Sequence, residues 1–119
     1  TYKKSKLANV MFTYELAKRI EGTGITANCL HPGFVSTNFG KNNNIFWRNA
    51  IRLAMMLTAI NVKDGAKTSI HLACSDEVKD ITGKFFANSQ VKKGSSKAKN
   101  DEHNVKLWEL SEEFVKPFL

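Results

Sequence analysis

The sequence predicts an α/β domain built on parallel strands, and three observations predict it. A helix-periodic segment ends in a glycine turn and feeds a short, β-rich apolar run. A Pro-Gly pair stops that run at its C-terminal end. A second short strand, rich in aromatics, follows only after a long helical stretch. Parallel neighbours need such a crossover, whereas antiparallel neighbours can be joined by a tight hairpin. The expected content is about two strands and four helices, with the strand preceding the first helix not represented. At 119 residues the chain is one domain's worth of material, or part of a larger domain.

The first helix is expected over residues 2–20. Leu7, Ala8, Met11, Phe12 and Leu16 recur at three- and four-residue spacings, and Gly22 and Gly24 then turn the chain. Tyr2, Lys6, Asn9 and Thr13 share the more polar stripe, so one face packs while the other is available for chemistry. Residues 25–31 form a largely apolar run that fits a buried parallel strand. Pro32-Gly33 and the residues to Thr37 follow at its C-terminal end, where open α/β sheets bind ligands.

A polar loop at residues 41–44 precedes an apolar helix over residues 45–60, whose methionine-bearing face suits an apolar pocket, lipid or simple packing equally. Asn61 with Asp64 three positions on looks like a capping box opening a helix over residues 62–74, with Ala66, Ser69, Ile70 and Ala73 facing inward. Residues 75–80 read as a turn or short helical piece, residues 84–87 as the second strand, and residues 90–99 as a polar connector. A last helix over residues 101–115 carries Val105, Trp108 and Val115 on one stripe, with Leu107, Ser111 and Phe114 beside it. Pro117 limits its continuation.

The chemistry centres on Tyr2 and Lys6, which fall one helical turn apart on one face. An unassisted tyrosine, with a reference pKa of about 10, is a poor acid at neutral pH. A neighbouring cation stabilises the phenolate, so such a pair is suited to proton transfer in carbonyl/alcohol chemistry. The pairing also recurs by chance on surface helices, and its weight comes from the Pro-Gly loop after the next strand.

Composition excludes several other classes. With 42% hydrophobic and 24% charged residues, the chain is ordinary globular material. The net charge of +7 arises from lysines spread along the whole chain, without a basic-aromatic interleave or a nucleic-acid motif, so no nucleic-acid partner is expected. The charge reads as a solvated surface, leaving an anionic cofactor, an acidic membrane surface or a protein partner as its other uses. Cys29 and Cys74 have no metal-like spacing and read as reduced, buried thiols of an intracellular protein, cytoplasmic or membrane-associated. No apolar run reaches the roughly 18–20 residues of a membrane span. His31 suits a structural hydrogen bond better than a ligand contact, His71 packing and His103 the surface; no metal site is expected.

The order Tyr2, Lys6, then Thr26, Asn28, His31, Pro32, Gly33, Val35 and Thr37 resembles the short-chain dehydrogenase/reductase family. Ser5 to Phe12, Glu15 to Arg19, Gly65 to Ser69, Gly83 to Phe86 and Leu107 to Ser111 resemble its retinol-dehydrogenase-like branch, so the likeness covers essentially the whole chain. The resemblance implies that residues 1–119 are the C-terminal part of a single NAD(P)-binding, Rossmann-like domain, a doubly wound parallel sheet entered at the catalytic-tyrosine helix.

It also implies an oxidoreductase moving a hydride between NAD(P)(H) and an apolar alcohol or carbonyl, retinoid- or lipid-aldehyde-like. Tyr2 would be the general acid/base. Lys6 would stabilise its phenolate and hydrogen-bond the nicotinamide ribose. Pro32, Gly33, Val35 and Thr37 would border the nicotinamide, and the helix over residues 45–60 would be a substrate lid. NADP(H) is favoured over NAD(H) by resemblance alone.

The family's glycine-rich dinucleotide loop, its Asn-Ala-Gly segment and its catalytic serine are not among these residues. Gly22 and Gly24 follow a helix and precede a strand, the reverse of the dinucleotide fingerprint. The isolated chain is therefore expected to be inactive. An alternative is a truncated, non-catalytic relative acting as an oligomerisation module, homodimeric through Leu7, Ala8, Met11 and Phe12 of the first helix.

Overall fold

A computed structural model of the chain describes residues 1–33 and 61–119. Val35, Thr37 and the lid helix expected over residues 45–60 lie outside the described residues.

Helix α1 (Tyr2–Arg19) begins where the periodicity puts it. Its end is fixed locally: the Thr23 hydroxyl donates to the Ile20 carbonyl at 2.6 Å, and Gly22 and Gly24 adopt φ of +79° and +78°. That left-handed backbone carries no steric penalty for glycine, so the chain reverses there.

Strand β1 (Cys29–His31) then pairs in parallel with β2 (Phe85–Ala87), Cys29 opposite Phe85 and His31 opposite Ala87. The parallel pairing expected of the two strands is present. β1 is shorter than the expected run of residues 25–31: its approach carries one backbone bond, from the Gly83 amide to the Ala27 carbonyl at 2.8 Å, and is otherwise held by side chains. The Asn28 side chain donates to the Ile81 carbonyl at 2.6 Å and accepts from the Lys84 amide at 3.0 Å, while Thr82 Oγ1 accepts from the Ala27 amide at 3.0 Å. β1 is half-buried, with His31 exposed, and is not the fully buried strand that its apolar composition suggests.

Helix α2 (Val62–Cys74) packs against β1 and opens on an Asn61 cap. Asn61 Oδ1 accepts from the Asp64 amide at 2.8 Å, and its Nδ2 donates to Asp64 Oδ2 at 2.6 Å. The capping pair is therefore real, with the two side chains bonded directly to each other. Asp64 also bonds Lys67, whose hydrogen bond and charge hold its carboxyl below the ordinary 3.8. Replacing Asn61 with alanine is expected to cost about 1 kcal/mol, seen as a lower urea midpoint at unchanged m-value.

The inward face of α2 differs from the expected one. Gly65 and Thr68 are buried, Asp64, Ala66, His71 and Leu72 are half-buried, and Ser69, Ile70 and Ala73 face outward. The apolar count favours Ile70, but the close approach to the sheet is made by the small residues. Thr68, 3% exposed, is retained because its hydroxyl accepts from the Ser89 amide at 3.0 Å.

That bond anchors an element the sequence reading leaves as connector. Strand β3 (Gln90–Lys92) runs antiparallel to β2, giving a three-stranded sheet in the order β1-β2-β3. The two-residue turn Asn88-Ser89 has φ of +52° and +57°, the primed geometry that matches strand twist. Asparagine tolerates it; serine less so, and the Thr68 hydroxyl holds it there.

Helix α3 (Asp101–Val115) starts at an Asn100 cap and packs antiparallel on α1, with Lys18 paired to Asp101 at 2.6 Å and Phe12 stacked on Trp108 at 4.9 Å. Asn104 is buried and Leu107, Trp108 and Ser111 are half-buried; of the apolar stripe, Val105 and Val115 are exposed, as is Phe114 beside it. Asn104, 1% exposed, donates to the Ala98 carbonyl at 3.0 Å. Arg19 lies over the Trp108 ring at 4.7 Å and bonds buried Glu15 at 2.8 Å, so a cation joins the two helices. The core proper is Ala17, Val78, Phe86 and Ala98.

Both cysteines are free, but neither is buried as expected: Cys29 is half-buried and Cys74 exposed. Among the described residues no helix is long and apolar enough to cross a membrane, and no three metal-ligating side chains cluster.

Candidate active site

Tyr2 and Lys6 stand in the first two turns of α1, both exposed, with Lys6 Nζ 5.5 Å from the centre of the Tyr2 ring. The helical rise and 3.6-residue period set that proximity, because residues four apart overlie on one face. Ser5 Oγ donates to the Tyr2 carbonyl at 2.8 Å, tying down the first turn. Asn9 and Thr13 continue the stripe only in part. Asn9 is exposed and its carbonyl accepts from Thr13 Oγ1 at 2.9 Å, while Thr13 turns toward the Cys29 thiol.

How the Pro-Gly loop stands to this pair follows from how α1 and β1 run. Ala17 lies 3.4 Å from where a Cβ on Gly83 would sit, Gly83 bonds the Ala27 carbonyl, and Thr13 reaches Cys29. As the strand climbs from residue 27 to 29, its helical neighbours descend from 17 to 13. Strand and helix are antiparallel. The C-terminal end of β1, from which Pro32-Gly33 leave, therefore runs toward the N-terminal half of α1, the half that carries Lys6 and Tyr2.

The turn there is shaped by His31, whose Nδ1 accepts from the Gly33 amide at 3.0 Å. His31 thus makes the structural hydrogen bond expected of it. Gly33 has φ of +84°, a conformation L side chains rarely adopt. Pro32 is exposed beside it. The other two histidines also sit as expected: the His71 ring is 6.4 Å from Phe86, and His103 is exposed.

Behind the site, burial pushes the Cys29 thiol up, outweighing the Thr13 and backbone hydrogen bonds. Burial, with Cys29 adding, also raises Tyr14. Both groups stay protonated at neutral pH. Asn28 is the residue whose part the sequence reading misses. By bonding Ile81 and Lys84 it sets the line on which β1 delivers Pro32-Gly33. A polar amide inside an otherwise apolar run was the available signal.

No protein-family model matches the chain. Among curated proteins it is 41% identical over 116 residues to retinol dehydrogenase 14 of Mus musculus, covering 96% of this chain and 35% of that protein. It is 36% identical over 117 residues to retinol dehydrogenase 12 of Homo sapiens, covering 96% and 35% respectively. With dehydrogenase/reductase SDR family member 13 of Bos taurus the identity is 35% over 111 residues, covering 92% and 29%. The chain spans about a third of the length of these relatives.

Proposed function

Because the chain is a homologue of the retinol dehydrogenases of the short-chain dehydrogenase/reductase family over nearly all its length, we propose that it carries the acid/base half of an NAD(P)-dependent alcohol/carbonyl oxidoreductase. The feature that supports this reading is the Tyr2–Lys6 pair, exposed on α1, with the Pro32-Gly33 turn leaving the end of β1 that runs toward the same half of the helix. An exposed phenol beside an ammonium fits an anionic cofactor.

When bound, the nicotinamide supplies or accepts the hydride. Tyr2 passes the accompanying proton to or from the substrate oxygen. Lys6 stabilises the phenolate and donates to the cofactor ribose, and Pro32 and Gly33 border the nicotinamide. Val35 and Thr37 complete that border in this reading. The names of the relatives support an apolar, retinoid-like alcohol or aldehyde as substrate, and NADP(H) as the favoured cofactor rests on family likeness alone.

The oligomerisation-module alternative draws less support, since Phe12 of the apolar face already stacks on Trp108 within the chain. These 119 residues hold no glycine-rich strand-turn-helix for the pyrophosphate, so alone they should bind no NAD(P)H. The test is retinol oxidation and retinaldehyde reduction by the intact protein, with NADP(H) and NAD(H) compared. Cofactor-dependent turnover is expected from the intact protein and none from residues 1–119 alone. Absence of turnover in the intact protein with any apolar alcohol or aldehyde would sink the reading.

A further inference from the structure

A concavity among the described residues lies toward the opposite end of α1 from Tyr2. About 24 Å of helix separate Lys18, on its wall, from Tyr2. The cleft has a volume of about 570 Å³, within the range of small-molecule sites. The end of α1, the start of β2, the end of β3 and the start of α3 enclose it. Five lysines line it: Lys18, Lys84, Lys92, Lys93 and Lys99. Its two carboxylates are Glu21 and Asp101, and Asp101 is already paired with Lys18 at 2.6 Å. Beyond the Lys18–Asp101 pair, four lysines share the lining with one further carboxylate, and of these Lys92 Nζ donates to Gln90 Oε1 at 2.9 Å.

The floor adds a directional donor. Tyr14 lines the cleft, and a Cβ built on Gly94 would fall 2.5 Å from its hydroxyl, so glycine is what lets the β3 exit cross it. Among the described residues the hydroxyl has no hydrogen-bond partner, and desolvation keeps it in the O–H form. Like charges gathered around a concave surface raise the local positive potential, and such a cleft concentrates anions.

We propose that this cleft binds a phosphate-bearing ligand, with lysine ammonium groups around its oxygens and the Tyr14 hydroxyl donating to one of them. A site here is separate from the nicotinamide border, because it lies at the N-terminal end of β2. The bound group is either a soluble phosphate ester or diphosphate, or the headgroup of an anionic phospholipid.

The test uses the intact protein with two probes: inorganic pyrophosphate by titration calorimetry, and phosphatidylserine/phosphatidylcholine vesicles by cosedimentation. Saturable pyrophosphate binding is expected with a Kd below about 1 mM. Lys92→Gln with Lys93→Gln, both exposed, should weaken binding about tenfold or more. Tyr14→Phe, which removes one hydroxyl, should weaken it about three- to tenfold. Lys6→Ala should leave it unchanged. Response to pyrophosphate alone supports a soluble ligand; response to vesicles alone, lost in the double lysine variant, supports a headgroup. Binding of neither probe overturns the proposal, as does binding that survives the double variant or is lost with Lys6→Ala.

Discussion

Tyr2→Phe in the intact protein is expected to lower kcat by at least about 10²–10⁴-fold, the range a positioned acid/base group contributes. Nicotinamide cofactor affinity should stay nearly unchanged. The substitution removes one oxygen from a side chain that is 64% exposed, so little packing is disturbed. Folding stability should therefore not move, which separates a chemical loss from a structural one. Lys6→Ala behaves differently: it should lower turnover and weaken cofactor binding together, because the same ammonium serves both. Steady-state kinetics with cofactor titration distinguish the two patterns. Ordinary activity in Tyr2→Phe would mean that another group carries the proton.

The second large effect is structural. Phe86→Ala should cost about 3–5 kcal/mol, the usual penalty for emptying a buried aromatic site. Phe86 is 1% exposed, lies in β2 between its two neighbouring strands and faces the His71 ring. Domains of this kind are stable by about 5–15 kcal/mol, so the loss would bring the protein near its unfolding threshold. Phe86→Leu, nearer in volume, should cost less than half as much. Urea unfolding followed by circular dichroism gives both values, and equal stability of wild type and Phe86→Ala would show that this strand is not the centre of the core.

Helix placement was legible in the sequence because caps and breakers are local chemistry. Asn61 and the Gly22-Thr23-Gly24 turn announce helix ends that the structure confirms within a residue or so. The inward face of α2 was less legible. Apolarity pointed to Ile70, yet the packed position goes to Thr68, buried with a hydrogen bond to Ser89, and in α3 to Asn104, which donates to Ala98. β3 was hidden for the same reason. Gln90, Val91 and Lys92 carry no amphipathic signal, and the turn before them needs a threonine some twenty residues away to settle its serine. At the candidate site, spacing put Tyr2 and Lys6 on one helix face, and their roles with Gly33 came from the family resemblance. The antiparallel run of α1 and β1, and the side-chain bonds by which Asn28 and His31 hold the end of β1, are not revealed by any spacing.

The short third strand also protects the protein from its own aromatic segment. Without it, Phe85 and Phe86 would lie on an open sheet border, a template on which a second molecule could stack strand upon strand. With it, the outermost border is three exposed residues, ending in Lys92 and followed by Lys93. Adjacent ammonium groups repel an identical border approaching edge to edge, so this hairpin acts as a gatekeeper that favours solubility over fibrillar growth.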